Sequence, residues 1–383
     1  MKNDFAISAI VLAAGLSERM GRFKPLLPLG AKPAIERVVT MFQVAGIKDV
    51  LVVGGHRAAE IRQAIDPLNA RCVENPAYRD GMFSSVLAGI RALPPVCRAF
   101  FIHPVDIPGV RFQTVERMVA SFEETAPAIL YPVFDGRRGH PTLIRSSLVP
   151  EILKWPGSGG LRAFLERYEV GSRELPVADE AVLLDMDRPE DYTCMVARMT
   201  DGGLPNENEC RALMDEIQAL PPAVARHCQA VADVARLLSA AVSAAGSDID
   251  IELVRTAALL HDIARVEKDH AAAGARLLKA HGFLRLAPLV ATHMDLEVAA
   301  DQPVDEAQIV YLADKLVAGD QRVDLEQRFA RKMEKYGRDP DAISGIERRR
   351  ETARRILGTV ENITGRSLDA ILNAEDPAKG EDR

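Results

Sequence analysis

With 383 residues, 48% of them hydrophobic and 27% charged, the chain has the composition of a globular protein and the length of two domains. Forty-eight Lys and Arg against 55 Asp and Glu leave a net charge of -7, so no basic excess exists to neutralise a polymer backbone, and nucleic acid is excluded as a general partner. No run approaches the ~18 apolar residues of a membrane span, which excludes a membrane partner, and the opening apolar run is too short for a secretory signal. The five cysteines, Cys72, Cys97, Cys194, Cys210 and Cys228, show neither metal spacing nor disulfide density. They are expected as reduced packing residues of a cytoplasmic protein.

The apolar run Ile7 to Leu12 reads as a buried strand, and the loop that follows, LAAGLSERMGRFK from Leu12 to Lys24, holds two glycines, a serine, two arginines and a lysine. It has the make-up of a phosphate cradle. Gly15 lets backbone N–H groups approach an anion, and Arg19, Arg22 and Lys24 together can neutralise a triphosphate; the alternative is a plain surface turn. A helix over 33–45 follows, with Ile35, Val38, Val39 and Phe42 on one face, then a strand at 50–53 and a helix at 58–65. A short strand at 71–73, a helix at 84–93 and a strong strand at 99–103 complete the alternation. This pattern predicts a doubly wound, mostly parallel α/β sheet of Rossmann-like type, with ligands at the carboxyl ends of its strands.

Asp106, in HPVDIP just past a buried strand, suits the Mg²⁺ that accompanies a nucleoside triphosphate, or else opens a turn before Pro108. Gly81, Ser84 and Ser85 in ENPAYRDGMFSSVLAGIRAL stand at a helix start, as caps or as base contacts. In DGRRGHPTLIRSS, Gly139 and Pro141 shape a turn that presents Arg138 and His140 to a phosphorylated acceptor or leaves His140 a structural residue. Asp185 and Asp187, in LLDMDRPEDY, alternate at an expected strand end. They can approach the metal; Asp187 also reads as a cap before Pro189.

A polar stretch, 200–209, reads as a linker between residues 1–199 and a second domain at 210–372, with a disordered tail at 373–383. Strand signals cease after the linker. The apolar residues Val224, Val231, Val234 and Leu238, then Leu253, Ala257 and Leu260, then Leu277, Leu289 and Val290, and finally Val310 and Val317, keep a helical period, so the second domain is expected to be all-α. On the inward faces of these helices stand His227, His261 and Asp262, His270 capped by Asp269, His293 and Asp314. Burying six ionisable groups singly costs several kcal/mol each by order of magnitude unless a shared cation compensates. Four imidazoles with two carboxylates suit Fe, Mn or Zn better than Mg. His281 reads as a helix-dipole partner, and GIERRRETARR as a solvated helix face with i,i+4 pairs.

Letter by letter, LAAGLSERMGRFKPLLPLG resembles the signature loop of the MobA-like nucleotidyltransferases, in the molybdenum cofactor cytidylyltransferase branch. The Arg-Gly-His-Pro and LLDMDRPEDY segments are similar to that family's too. The resemblance implies CTP bound by Ala13, Ala14, Gly15, Ser17, Arg22, Gly81, Ser84 and Ser85, with Arg19, Lys24 and Asp106 catalytic and Mg²⁺ on Asp106 and Asp187. It also implies a phosphorylated small-molecule acceptor, molybdopterin in the family, and a molybdoenzyme or its chaperone as partner. Ile107 replaces the family's Gln and Ser158 its Asp. In the second half HDIAR, DHAAAGARLL, VATHMD and VYLADKL resemble the HD-domain phosphohydrolases, closest to the branch with a bacterial diadenosine tetraphosphate hydrolase. That implies two transition-metal ions on His227, His261, Asp262, His270, His293 and Asp314, with Asp262 bridging and catalytic. Arg265, where the family often has Lys, is the outer phosphate cation. The alternative for this half is a regulatory module that binds a nucleotide without turnover.

Overall fold

The computed structural model describes residues 7–374, apart from 201, 300, 301 and 337. The chain divides into two compact units, Met1–Gly203 and Leu204–Arg383.

In the first unit, β1 (Ile7–Leu12), β2 (Asp49–Gly54), β3 (Arg71–Glu74), β4 (Ala99–Pro104), β5 (Ile129–Phe134), β6 (Thr142–Arg145) and β7 (Ser172–Pro176) form one sheet in the order β7-β5-β6-β4-β1-β2-β3. A two-residue strand, Arg137–Arg138, pairs with β5. The sheet is mostly parallel, as expected; β6 runs antiparallel to both β4 and β5. Helices α1 (Ala34–Val44), α2 (Ala58–Ile65), α3 (Met82–Arg91) and α4 (Phe112–Thr125) flank it, and α5 (Pro189–Thr200) closes the unit. All six residues of β1 are buried, because a strand covered on both faces has no polar side to offer. Helix α1 buries Ile35, Val38, Val39 and Phe42, the residues its 3.6 period singles out. Where α3 crosses β1 only glycine fits, since a Cβ on Gly89 would lie 2.5 Å from Cγ2 of Ile10.

Register places Leu12 opposite both Val53 and Pro104, so the strand ends of β1, β2 and β4 open on one edge. His103, fully buried in β4, presents Nε2 at 2.9 Å from the Ile107 carbonyl. A carbonyl only accepts, so Nε2 carries the proton and ties the Val105–Ile107 turn, with Asp106 at its centre, to the strand. Burial pushes the His103 pKa down to about 3, with His140 a lesser cause. The unfolded chain, with His103 near its ordinary value, therefore takes the proton first. Stability of the first unit is complete above about pH 6.5 and falls below it by about 1.4 kcal/mol per pH unit from this group alone. Urea midpoints followed from pH 7 to 4 should show that slope, and His103→Gln should flatten it.

The second unit is helical: α6 (Pro222–Ala244), α7 (Ile251–Leu260), α8 (His270–Ala280), α9 (Leu286–Thr292), α10 (Glu306–Lys315), α11 (Leu325–Tyr336) and α12 (Pro340–Thr364). Two departures from the helical expectation occur. Val317 leaves α10 for a hairpin of β8 (Val317–Ala318) and β9 (Gln321–Arg322), and it is Leu278, not Leu277, that α8 buries. Asp269 stands at the N-cap of α8 but makes no capping bond with its side chain. Of the stretch 200–209, Thr200 ends α5, while Asn206 and Glu209 form a capping box at the start of Glu207–Arg211. The arginines of α12 do not make i,i+4 pairs. Arg348 and Arg349 reach Asp295, and Arg350 and Arg354 reach Glu326 on α11, although Glu351 stands four residues before Arg355 and three before Arg354. Of the expected tail, Asn373 closes Leu368–Leu372 and residues from 375 on lie outside those described. No helix among the described residues is long and apolar enough to cross a membrane. Cys97, Cys210 and Cys228 are buried packing residues, Cys72 is half-buried and Cys194 is exposed.

Candidate active sites

The first site lies where β1 and β4 end. Lys24 Nζ sits 2.9 Å from Asp106 Oδ2 and 2.5 Å from Asp187 Oδ1, and Arg19 Nη1 sits 2.9 Å from the other Asp187 oxygen. Burial alone would lower the Lys24 pKa, but its hydrogen bonds to Asp187 and Asp106 outweigh burial and raise it. The same contact with Lys24 lowers Asp187. Burial, with the charges of Asp187 and Asp106, raises Asp185, so a third carboxyl belongs to this cluster. Ser17, with φ of 58°, turns the loop back so that its Oγ accepts the Lys24 backbone N–H at 3.1 Å. Nothing stands within 4 Å of a Cβ built on Gly15, so the backbone there is open to a ligand.

Two features of this site have no sequence signal. Residues 184–188 are not a strand end but an extended segment, and Met186 N–H donates to the Asp106 carbonyl at 2.8 Å, which registers Asp187 against Lys24. Other expected residues are placed apart from the lysine. Arg22 is exposed with its guanidinium 5.7 Å from the Tyr192 ring centre. The Ser84 and Ser85 hydroxyls accept from Asn75 Nδ2, and Ser84 also meets the Ala77 and Gly81 carbonyls, so both brace the turn before α3. Arg138 pairs with Glu169 and Glu174. It nonetheless lines, with His140, Leu12, Pro104, Phe83 and Tyr131, a cavity of about 800 Å³ beside the strand ends. Gly139 is obligatory at its mouth: a Cβ there would lie 2.5 Å from the Val182 carbonyl oxygen. Burial lowers the His140 pKa, and its Nδ1 has no hydrogen-bond partner.

Oxygens of two carboxylates already converge on one cation, the Lys24 ammonium, with a third carboxyl beside them. That all-oxygen donor set fits Mg²⁺.

The second site gathers side chains from helices α6, α8 and α10 and from the turns that follow α7 and α9. Nδ1 of His227, His261 and His293 each lies 2.7 Å from a backbone carbonyl, of Gly319, Ala258 and Val290. Each Nδ1 therefore holds the proton, and each Nε2 turns a lone pair inward. Asp262 divides its oxygens between two groups. Its Oδ2 is 3.6 Å from His261 Nε2 and 4.0 Å from His227 Nε2, while its Oδ1 is 3.1 Å from His270 Nε2 and 3.4 Å from His293 Nε2. Asp314 Oδ1 joins the first group, 3.3 Å from His227 Nε2 and 3.8 Å from His261 Nε2. The other Asp314 oxygen is held by buried Lys315 at 2.7 Å. Arg265 Nη1 lies 3.2 Å from His270 Nε2 and 3.5 Å from Asp262 Oδ1.

Burial pushes the His261 pKa down to about 4, which keeps its ring neutral. Burial works against ionised Asp262 and Asp314, yet the His270 and His293 rings hold Asp262, and the Lys315 charge and His227 hold Asp314, below the carboxylate range. His261 Nε2 and Asp262 Oδ1 are buried without a hydrogen-bond partner, and the Nε2 atoms of His270 and His293 face each other at 3.2 Å. Orphaned lone pairs aimed at one point are costly unless a cation takes them. Five of the six residues form two overlapping ligand groups, His227–His261–Asp262 and Asp262–His270–His293, with the ligand atoms of each group within 4.8 Å of one another. Mixed nitrogen and oxygen donors fit a pair of transition-metal ions.

Residues 9–172 match the MobA-like NTP transferase domain and residues 224–319 the HD domain. The chain is 26% identical over 197 residues to the molybdenum cofactor cytidylyltransferase of Escherichia coli (strain K12), covering 51% of this chain and 98% of that one. It is 31% identical over 193 residues to the nicotine blue oxidoreductase of Paenarthrobacter nicotinovorans, covering 48% and 93%. Among solved structures, Rv0371c from Mycobacterium tuberculosis H37Rv is 25% identical, with 50% of this chain and 97% of that one aligned at a TM-score of 0.44.

Proposed function

The chain belongs to the MobA-like NTP transferase family and carries an HD domain, and from that premise we propose a bifunctional cytoplasmic enzyme with one activity in each unit. The domains run over 1–199 and 210–372. The first transfers a nucleotidyl group, from CTP in preference, to a phosphorylated acceptor such as molybdopterin, for delivery to a molybdoenzyme or its chaperone. The second hydrolyses a phosphate ester or anhydride.

The observation that carries the first activity is the Lys24 ammonium held between Asp106 and Asp187 at the strand ends. An acceptor phosphate oxygen bonds to the α-phosphorus of the nucleotide, and the α–β bridging bond breaks with its electrons leaving on pyrophosphate. Lys24 and Arg19 offset the charge on that pyrophosphate, Ser17 keeps the loop turned toward it, and open backbone at Gly15 admits the phosphates. Asp106, Asp187 and Asp185 would hold Mg²⁺, which when bound neutralises charge on the triphosphate. The preference for CTP is supported by Ala13, Ala14 and Gly15, the residues of the cytidylyl branch. Pyrophosphate release with molybdopterin as acceptor tests this reading. CTP should exceed GTP; the reverse order sinks the nucleotide assignment alone, and release with neither sinks the transfer reading, leaving room for chemistry such as the oxidoreductase relative's.

For the second activity the carrying observation is Asp262, one oxygen facing each histidine pair. His227, His261 and Asp314 would complete one metal position and His270 and His293 the other. The metals, when bound, activate water and polarise phosphoryl oxygens. Arg265 stands at the rim as the cation for the phosphoryl group, and Lys315 orients Asp314. Hydrolysis of bis(p-nitrophenyl) phosphate by protein produced with Mn and Fe tests it; bound metal with no turnover would favour a regulatory nucleotide-binding role.

A further inference from the structure

The loop from Ala13 to Lys24 carries the cations of the first site, yet several of the contacts that fix it are ones a substrate would take over. Lys24 spends its ammonium on Asp106 and Asp187, and Arg19 spends its guanidinium on Asp187. Triphosphate oxygens would draw both cations, and Mg²⁺ would draw both carboxylates. The loop then depends on contacts that hold no charge for the ligand to compete for.

Phe23, the residue before Lys24, makes such contacts. It is buried, at 8% exposure, while its neighbour Arg22 is exposed, and its carbonyl accepts the Leu26 N–H at 3.2 Å, which opens the turn Lys24–Leu26. The ring is held from the corner between β2 and α2. The Arg57 guanidinium lies 4.5 Å from the ring centre, and the His56 ring meets it edge-on at 5.7 Å. Glu60, in the first turn of α2, accepts from Arg57 Nε at 2.5 Å and from a terminal nitrogen as well, a two-point hold that sets the plane of the guanidinium.

The backbone of Arg57 shows what the corner gives up for this contact. Its φ of 55° and ψ of 37° lie in the left-handed region, which L side chains rarely adopt and which glycine would fill at lower cost. A half-exposed ion pair with Glu60 contributes little, so neither the strained backbone nor the choice of arginine follows from the stability of α2. Contact with the loop accounts for both.

We propose that Arg57 is a positioning residue for nucleotidyl transfer: through the Phe23 ring it keeps Lys24 at the strand ends while the ammonium exchanges its carboxylates for phosphate oxygens. This rests on the nucleotidyl-transfer reading above. Misplacing a group that stabilises a transition state by ~1 Å can cost up to about 100-fold in rate. Lys24 also stays tied through its backbone N–H to Ser17, so loss of Arg57 is expected to cost about tenfold.

The test uses the full chain with CTP, molybdopterin and Mg²⁺. Arg57→Gly removes the guanidinium and relieves the left-handed backbone at once, so the melting temperature should stay near that of wild type while kcat for pyrophosphate release falls about tenfold and KM for CTP stays within about twofold. Arg57→Lys, which keeps a cation over the ring, should recover most of the loss. Phe23→Leu should cost about as much as Arg57→Gly, and the double variant no more than either alone, because the two residues act through one contact. Trypsin gives a readout independent of turnover. The Arg22–Phe23 bond should be cut at least about fivefold faster in Arg57→Gly than in wild type under native conditions, since cleavage there needs Phe23 out of its seat. Unchanged kcat or unchanged cutting in Arg57→Gly overturns the proposal, and so do additive losses in the double variant. If wild type released no pyrophosphate from any nucleoside triphosphate, the transfer reading would fall by itself, and the cutting rate alone would decide whether Arg57 holds the loop.

Discussion

Asp262→Ala should lose both metals of the proposed phosphohydrolase centre and its activity with them. Its two oxygens belong to different ligand groups, so deleting one side chain takes a donor from each, and leaves His227, His261 and Asp314 on one side and only His270 and His293 on the other. Metal analysis should fall from about two equivalents per chain to nearly none, whereas His270→Ala or His293→Ala should retain about one. Hydrolysis of bis(p-nitrophenyl) phosphate should disappear in all three. Retention of two equivalents by Asp262→Ala would remove the bridging role.

Lys24→Ala should lower CTP-dependent pyrophosphate release by ~10² to 10³, the usual loss on deleting one preorganised charged group, while leaving the second unit's hydrolysis untouched. The fold should survive, because Asp106 and Asp187 keep contact with water once the ammonium is gone. A rate unchanged in protein of wild-type melting temperature would separate Lys24 from the chemistry.

The elements that could be read from the chain are those whose cause is local. Ile7–Leu12 and Ala99–Pro104 announce themselves because a strand buried on both faces is nearly continuous in apolar residues. Four of the five histidines of the second unit, His227, His261, His270 and His293, are legible because each keeps the helical phase of apolar neighbours. What stays hidden depends on pairs far apart in sequence. Nothing in LLDMDRPEDY says that Met186 will donate to the Asp106 carbonyl, and it is that bond which brings Asp187 to Lys24. The partners of Arg138 lie 31 and 36 residues away, so it reads as a free cation until β7 is in place. Glu326 likewise turns α12 from a solvated helix into a fastening.

Three of the imidazoles are pinned by backbone carbonyls that belong to the helical framework itself or to the hairpin turn at Gly319. A ring so tethered cannot spin about its Cβ–Cγ bond to reach another ligand or to shed its lone pair into solvent. Those three donors would therefore be in station before any ion arrived, unlike small metal domains whose ligands assemble only as the chain folds. Loading and unloading would then be a matter of ions passing through a standing frame, with the helical content of the second unit expected to be the same on either side of the exchange.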